Sequence, residues 1–255
     1  MAGEQQERGK LPSPRTIIPD RARIVSQLSI RSQVLNIDYG ELSPYFDWIQ
    51  EQAKSTKGDA LLVKGARMTM NNLKPGDEAW ENIVASGKDE QYTLGRCITE
   101  NANSCFQREV FFNLLIQQAD VPCATLEGSW VESSRADLRD KPDDILIVKP
   151  GGYTISSQDR YEGHLWNLAQ IDEKYYLVDS SYLVEQNGRQ EPVIQEIDYE
   201  PGQNYFKIPL PSGETRHYIA DGPIKIQEGK PTQPTIPEEM PTTLEGLANM
   251  PTQEE

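Results

Sequence analysis

The most informative stretch of the sequence lies in the second half of the chain, GHLWNLAQIDEKYYLVDSS (163–181). Its residues alternate on either side of Asp172 and Glu173, which predicts two antiparallel strands joined by a two-residue turn. In that register His164 and Asp179 are diagonal neighbours on one face of the sheet. Their backbones are then roughly 7 to 8 Å apart, within reach of an imidazole ring and a carboxylate. A register shifted by one residue would instead place the two on opposite faces.

The rest of the chain predicts an α+β fold around this hairpin. Further runs rich in Val, Ile and Tyr, typical of half-buried strands, are VPCATLEG (121–128), DDILIVKP (143–150), NYFKIPLP (204–211) and RHYIADG (216–222). Apolar residues at helical spacing occur in SPYFDWIQEQA (43–53), DEAWENIVAS (77–86) and NSCFQREVFFNLLIQQA (103–119). Ser43 with Pro44 predicts the start of the first helix, and Asp77 that of the second. We therefore expect a helical front half whose central helix, 103–119, packs on an antiparallel sheet.

One cysteine lies where this central helix is expected to begin. Asn103 or Ser104 is the predicted cap, so Cys105 falls in the first turn, where unpaired N–H groups and the helix dipole favour an anion. Thiols in such positions have lowered pKa values, and the thiolate is the nucleophile. A histidine beside the thiol and an aspartate behind that histidine would complete a catalytic triad for acyl transfer. The candidate catalytic residues are Cys105, His164 and Asp179, with Asp179 expected to be partly exposed at a strand end.

The other cysteines and the second histidine fit structural roles better. Cys123 lies in an alternating apolar strand, and Cys97 has no histidine at a matching spacing, so we expect both in the core. His217 is expected on the surface of a strand.

Residues beside the candidate triad leave alternatives open. Arg108 could stabilise the thiolate or bind a substrate carboxyl, but we favour a salt bridge with a neighbouring acid. Trp166 could shield the imidazole of His164 from water or pack in the core. Asn167 points to the opposite face and receives no catalytic role. The second oxyanion donor, beside the N–H of Cys105, is not indicated by the sequence.

These residues resemble the transglutaminase-like, or papain-like thiol, superfamily. The family's pattern is a cysteine opening a helix, a strand ending in glycine, a His-x-Trp beginning a strand and an aspartate ending the next. Here the matching residues are Cys105, Gly128, His164-Leu165-Trp166 and Asp179. The resemblance covers about 75 residues, and the fifteen-residue step from His164 to Asp179 is shared by many members. Ser104 and Glu173 stand where members usually have glycine.

The resemblance implies a cysteine-dependent hydrolase or acyltransferase acting on an amide. Cys105 would attack the carbonyl carbon, His164 would take and return the proton, and Asp179 would hold His164. No metal or organic cofactor would be needed. The substrate could be a peptide bond, a glutamine side chain or a small amide, because the family includes cross-linking enzymes, peptidases and amidases. It also includes members without activity, so the alternative is a catalytically silent binding module of the same fold.

The charge balance and hydropathy limit the partners. The 255 residues include 25 basic and 40 acidic side chains, and a net charge of −15 has the wrong sign for binding phosphates broadly. We therefore expect a protein or peptide substrate and no nucleic acid. No run approaches the roughly 20 apolar residues that span a bilayer, and the first thirty residues contain no signal-peptide core. No membrane contact and a cytoplasmic location are expected, although a secreted effector that modifies a foreign protein would use the same chemistry.

The composition divides the chain into one domain and two tails. Residues 1–24 are polar and carry three prolines, which predicts a flexible N-terminal segment. Residues 25–227 form the predicted domain, in which the insert 131–162 could line or cover the cleft. Residues 228–255 contain five prolines and six glutamates, so a disordered acidic Pro/Thr-rich tail that is dispensable for folding is expected.

Overall fold

The computed structural model of the chain describes residues 25–30, 33–74, 77–133, 146–149, 152–155, 161–200 and 203–223. Over these ranges the protein is α+β, as predicted, with an antiparallel main sheet. The expected N-terminal segment 1–24, the acidic tail 228–255 and much of the insert 131–162 lie outside the described residues. Within those ranges no helix is both long and apolar enough to cross a membrane.

The helices lie in the front half. They are α1 (Tyr39–Ser55), α2 (Asp59–Asn72), α3 (Asp77–Ala85), α4 (Leu94–Glu100) and α5 (Cys105–Gln118), with a short 3₁₀ turn at Asp89–Gln91. The predicted central helix is α5, which is buried from Phe106 to Gln117 and packs against α1 and α2. Its burial on all sides makes it the axis of the core.

The strands are β1 (Val25–Ile30), β2 (Gln33–Asp38), β3 (Cys123–Ser133), β4 (Leu146–Lys149), β5 (Gly152–Ile155), β6 (Tyr161–Ile171), β7 (Lys174–Gln186), β8 (Arg189–Ile197), β9 (Tyr205–Pro209) and β10 (Thr215–Pro223). The main sheet has the order β8-β7-β6-β3-β10-β9, while β1–β2 and β4–β5 are separate hairpins. α5 lies against β3, β6 and β7, so the start of this helix is brought to the middle of the sheet.

The hairpin of β6 and β7 has the predicted register. Asn167 pairs with Val178, and the pairing continues to the two residues that flank the turn. Asp172 and Glu173 form the turn with φ angles of 49° and 66°, the conformation of a type I′ turn. The strand twist favours this turn even though glycine or asparagine would adopt it more easily.

Apolar clusters cover both faces of the main sheet. The larger cluster joins the helices to residues such as Leu165 and Val178. The smaller cluster lies on the other face, around Trp166, Phe206 and Tyr218. Successive residues of β6 therefore point into different cores, which places His164 on the side of Trp166 and Tyr218.

Gly128 marks a bulge in the middle of β3. The pairing of β3 with β6 shifts between Gly128 and Ser129, directly after the pair of Gly128 with His164. A Cβ atom on Gly128 would lie 1.9 Å from the carbonyl oxygen of Ile219 on β10. The expectation that the strand ends at Gly128 is wrong, because Trp130 and its neighbours continue to pair with β10. The glycine instead lets three strands approach closely beside His164.

The front half differs from the prediction in its first elements. It begins with the hairpin β1–β2, so it is not entirely helical. α1 starts at Tyr39 rather than after Ser43, because Asp38 caps it by accepting a hydrogen bond from the Gly40 N–H at 2.8 Å. Pro44 therefore lies inside the helix, where buried neighbours such as Leu42 offset its lost hydrogen bond.

Besides β1 and β2, four described helices and strands were not predicted: α2, α4, β5 and β8. β8 contains Pro192, which argues against a central strand but is tolerated here because β8 is an edge strand of the main sheet.

Candidate active site

Helix α5 begins at Cys105 and places this side chain next to β6. Ser104 is the cap: its hydroxyl accepts an N–H of the first turn at 3.2 Å, and its own N–H donates to the Gln107 side chain at 2.8 Å. This capping box fixes the first turn of the helix. The thiol is partly exposed, and its Sγ lies 3.7 Å from the carbonyl oxygen of Gly163, which directly precedes His164.

The structure brings His164 and Asp179 into direct contact, as the register predicts. The His164 side chain is 2 % exposed, and its Nε2 lies 2.8 Å from Oδ2 of Asp179. Because a carboxylate accepts, Nε2 carries a proton and donates it to this hydrogen bond. The other ring nitrogen, Nδ1, makes no hydrogen bond with the described residues. Nδ1 is therefore the nitrogen available to exchange a proton with Cys105.

Asp179 is fully buried and is surrounded by donors. Oδ1 accepts from the N–H groups of Ser181 and Tyr182, and Oδ2 accepts from His164, Tyr218 and the more distant Arg216. The expectation of a partly exposed strand-end carboxylate is wrong, since its exposure is 0 %. The side chains of Arg216 and Tyr218, both on β10, cover it.

Burial and charge act in opposite directions on this pair. Burial lowers the pKa of His164, but the charge of Asp179, the hydrogen bond to it and the Cys105 side chain raise it to about 9. Burial raises the pKa of Asp179, yet the charge of His164, their hydrogen bond and the charge of Arg216 bring it well below its usual range. At neutral pH the two groups form a buried imidazolium–carboxylate pair.

Aromatic rings enclose the imidazole of His164. The ring centroids of Trp130, Trp166 and Tyr182 lie 6.0, 5.8 and 4.7 Å from its own. The sequence left open whether Trp166 shields the imidazole or packs in the core. It does both, because it belongs to the smaller core and also covers the imidazole. Tyr182 is 40 % exposed and forms the outer wall, where first burial and then the charge of Cys105 raise the pKa of its hydroxyl. The site thus opens to solvent beside Tyr182.

The irregular segment 180–182 follows Asp179 and is held by side chains. The pairing of β7 with β8 is interrupted between Asp179 and Val184, and its pairing with β6 ends one residue earlier. Backbone N–H and C=O groups in the segment bond instead to the side chains of Glu109, Asp179, Arg108 and Arg216. These bonds satisfy backbone groups that the sheet leaves unpaired, and they fix the position of Asp179.

Arg108 makes the salt bridge that the sequence favoured. Its Nη2 lies 3.0 Å from the Asp77 carboxylate, and the guanidinium also donates to the carbonyls of Ser104 and Ser181. With its side chain 6 % exposed, Arg108 joins the cap of α5 to α3 and to β7.

The prediction for the two other cysteines is confirmed, and that for His217 is wrong. Cys97 and Cys123 are buried, and burial raises the pKa of the Cys97 thiol to about 12. His217 is fully buried because β9 pairs beside it, and its Nδ1 lies 2.8 Å from the Tyr205 hydroxyl. Burial, with a smaller effect of Lys207, lowers the pKa of His217 to about 4.

Three residues of the site were missed from the sequence. Arg216 and Tyr218 alternate on β10 and share one face, but no local pattern connects this strand with Asp179. Glu109 lies four residues after Cys105, and this spacing, which puts two side chains on the same helix face, is the signal that could have identified it.

The site consists of the buried ion pair of His164 and Asp179 beside Cys105, the first residue of α5. Among the described residues no group of three or more His, Cys, Asp and Glu side chains could hold a metal ion. Comparisons of the chain with protein-family models, curated proteins and solved structures found no match.

Proposed function

We propose that the protein is a cysteine-dependent hydrolase or acyltransferase with a transglutaminase-like fold, acting on an amide bond of a peptide or of a glutamine side chain. The observation that carries this proposal is the buried contact of 2.8 Å between His164 and Asp179. This pair lies next to Cys105, the first residue of α5. Nucleophile, base and orienting carboxylate are the three parts that acyl transfer requires.

The reaction begins with the attack of the Cys105 thiolate on the carbonyl carbon of the amide. The N–H of Cys105 is a candidate donor to the resulting oxyanion, because helices leave their first N–H groups without intrahelical partners. The C–N bond then breaks while His164 gives its Nδ1 proton to the leaving amine. Attack of water on the thioester releases a carboxylic acid, and attack of an amine forms a new amide; His164 takes the proton in either case.

Asp179 keeps this proton exchange on the correct nitrogen. Its Oδ2 accepts from Nε2 of His164, so the proton that moves must be the one on Nδ1, which faces no other hydrogen-bond partner among the described residues. The same carboxylate stabilises the imidazolium form. The aromatic enclosure excludes water from the ion pair and strengthens it.

One contact favours the second candidate function, a catalytically silent binding module. The thiol is 3.7 Å from the carbonyl oxygen of Gly163, and a hydrogen bond to that oxygen keeps the proton on sulfur. Under this alternative Cys105 is a partly exposed side chain that performs no chemistry.

The reactivity of Cys105 separates the two functions. We would measure iodoacetamide alkylation at pH 7 by peptide mass spectrometry, on the folded protein and on the same chain in urea. The proposed enzyme should alkylate Cys105 about tenfold faster when folded, since folding supplies the thiolate. The His164→Gln variant, checked for folding by circular dichroism, should lose this acceleration. Equal or slower alkylation in the folded protein would contradict the triad.

Formation of an acyl-enzyme tests the chemistry itself. Incubation with 4-nitrophenyl acetate should leave an acetyl group on Cys105 and release one 4-nitrophenolate per chain in a burst. The Cys105→Ser variant is the matched control and should show neither. Fast alkylation without acetylation would favour a reactive thiol in a binding module.

A further inference from the structure

Glu109 is a fully buried carboxylate that the proposed chemistry does not use. It lies on α5 one turn after Cys105, and its exposure is 0 %. Oε1 accepts from the Ser180 N–H at 2.9 Å, from the Ser180 hydroxyl at 2.8 Å and from the Ser181 hydroxyl at 2.5 Å. Oε2 accepts from the side-chain amide of Asn167 at 2.7 Å. Burying an ionised carboxylate is costly, so a charge at this position needs a reason.

The partners of Glu109 connect it to every member of the triad. Ser181 donates its hydroxyl to Glu109 and its backbone N–H to Oδ1 of Asp179, at 3.0 Å. Asp179 in turn holds His164. Asn167 lies on β6, three residues after His164, and its amide ties that strand to the helix of Cys105. These contacts form a closed circuit, that is, a ring of hydrogen bonds that joins α5 to β7, β7 to β6, and β6 back to α5.

We propose that Glu109 is a positioning residue for the Cys105–His164–Asp179 triad: its carboxylate anchors segment 180–182 and β6 to α5, and its negative charge supports the imidazolium form of His164. This inference rests on the proposed function. Glu109 touches neither the reacting sulfur nor, in the described structure, the imidazole, and it acts through Ser181, Asp179 and Asn167.

Glu109 also interacts with His164 through its charge. Burial and then the charge of Asp179 raise the pKa of Glu109 to about 7, although the Ser181 hydrogen bond and the charge of His164 lower it. Glu109 is therefore mostly ionised above pH 7, the range in which His164 titrates with its pKa of about 9. Because an interaction between two charges acts equally on both, the ionised Glu109 favours the protonated form of His164. Removing the charge should therefore lower the pKa of His164, whereas a purely structural residue has no reason to do so.

The decisive experiment compares Glu109→Gln with a control on the same helix. Glutamine keeps the shape and the acceptor toward Ser180, but it removes the charge and turns its NH₂ group toward the side-chain amide of Asn167. Gln117, which is also buried on α5 and donates to the Cys123 carbonyl at 3.0 Å, supplies the control Gln117→Met. The ring nitrogens would be titrated by long-range ¹H–¹⁵N NMR, which is feasible because the chain has 2 histidines. Their pKa values of about 9 and about 4 distinguish His164 from His217.

We expect Glu109→Gln to lower the pKa of His164, to leave that of His217 unchanged and to slow Cys105 alkylation at pH 8 by up to about tenfold. Gln117→Met should change neither measurement. If Glu109→Gln does not fold, Ser181→Ala removes one link of the circuit and should slow alkylation roughly threefold. A reactive wild-type Cys105 with an unshifted His164 in the Gln variant would overturn the role of Glu109. An unreactive wild-type Cys105 would instead overturn the proposed function.

Discussion

Replacing Asp179 by asparagine tests the triad and the buried network together. Both carboxylate oxygens face donors, so the amide NH₂ of asparagine must meet one set of them. The two backbone N–H groups at Oδ1 cannot change their role, and we therefore expect the amide oxygen to remain there. The NH₂ group then faces Nε2 of His164.

This arrangement should remove the base. Nε2 of His164 must now accept, so the neutral ring carries its proton on Nδ1 and cannot take the thiol proton of Cys105. The corresponding change in serine proteases lowers kcat by about 10⁴-fold. The helix start does not change in this variant, and for that reason we expect alkylation at pH 7 to slow only as far as in His164→Gln, by about tenfold.

The same substitution should also destabilise the protein. The buried guanidinium of Arg216 loses its carboxylate, and breaking a buried pair typically costs about 3 to 5 kcal/mol. Arg216 keeps its hydrogen bonds to the Tyr182 carbonyl at 2.8 Å and to the Tyr218 hydroxyl at 3.3 Å, which favours the lower value. A loss of about 3 kcal/mol lowers the melting temperature of a domain this size by roughly 6 to 12 °C.

Thermal unfolding and alkylation rates would be measured on the same Asp179→Asn preparation, with alkylation well below its melting temperature. Unchanged Cys105 reactivity in the folded variant would refute the role of Asp179 in the triad. An unchanged melting temperature would refute the reasoning about the buried charges of Asp179 and Arg216.

Three further predictions concern the surroundings of the site. The free energy of unfolding should decrease as the pH rises from 6.5 through 9, because the pKa of His164 is about 9 in the folded chain against 6.5 as its ordinary value. The raised pKa of His164 contributes roughly 3 kcal/mol to the free energy of unfolding below pH 6.5, and this contribution is lost above pH 9. Urea titrations of wild type and His164→Gln across this pH range should show that the variant lacks it. Gly128→Ala should cost about 3 kcal/mol in thermal unfolding, because its Cβ meets the Ile219 carbonyl oxygen at 1.9 Å. Gly87→Ala, whose Cβ meets nothing within 4 Å, should cost about 1 kcal/mol through its positive φ. Ser104→Ala removes the cap of α5 and should cost about 1 kcal/mol in a urea titration; a stability equal to wild type would contradict the capping role.

The parts of the site that could be predicted depend on local signals. The alternation on both sides of Asp172 and Glu173 determines which residues of β6 and β7 share a face, and the contact between His164 and Asp179 follows. Ser104 and the glutamine three residues later form a capping box that fixes the start of α5 at Cys105.

The parts that could not be predicted depend on contacts between distant residues. Tyr218 and Arg216 lie 39 and 37 residues after Asp179 and reach it only through the pairing of β10 with β3. The burial of His217 likewise depends on a neighbouring strand, β9. Local signals can also compete. Ser43 with Pro44 predicts a helix start, but Asp38 caps α1 earlier in the chain, so the helix begins at Tyr39 and buries this residue.

The position of β10 in the sheet has a consequence for synthesis on the ribosome. This strand is the last of the described elements to be translated, yet it is an internal strand between β3 and β9. Until it has emerged, β3 presents an unpaired edge, the kind of surface that promotes aggregation. Over the same interval Asp179 lacks its partners Arg216 and Tyr218, so a nascent chain should acquire its reactive thiol only after β10 has been inserted.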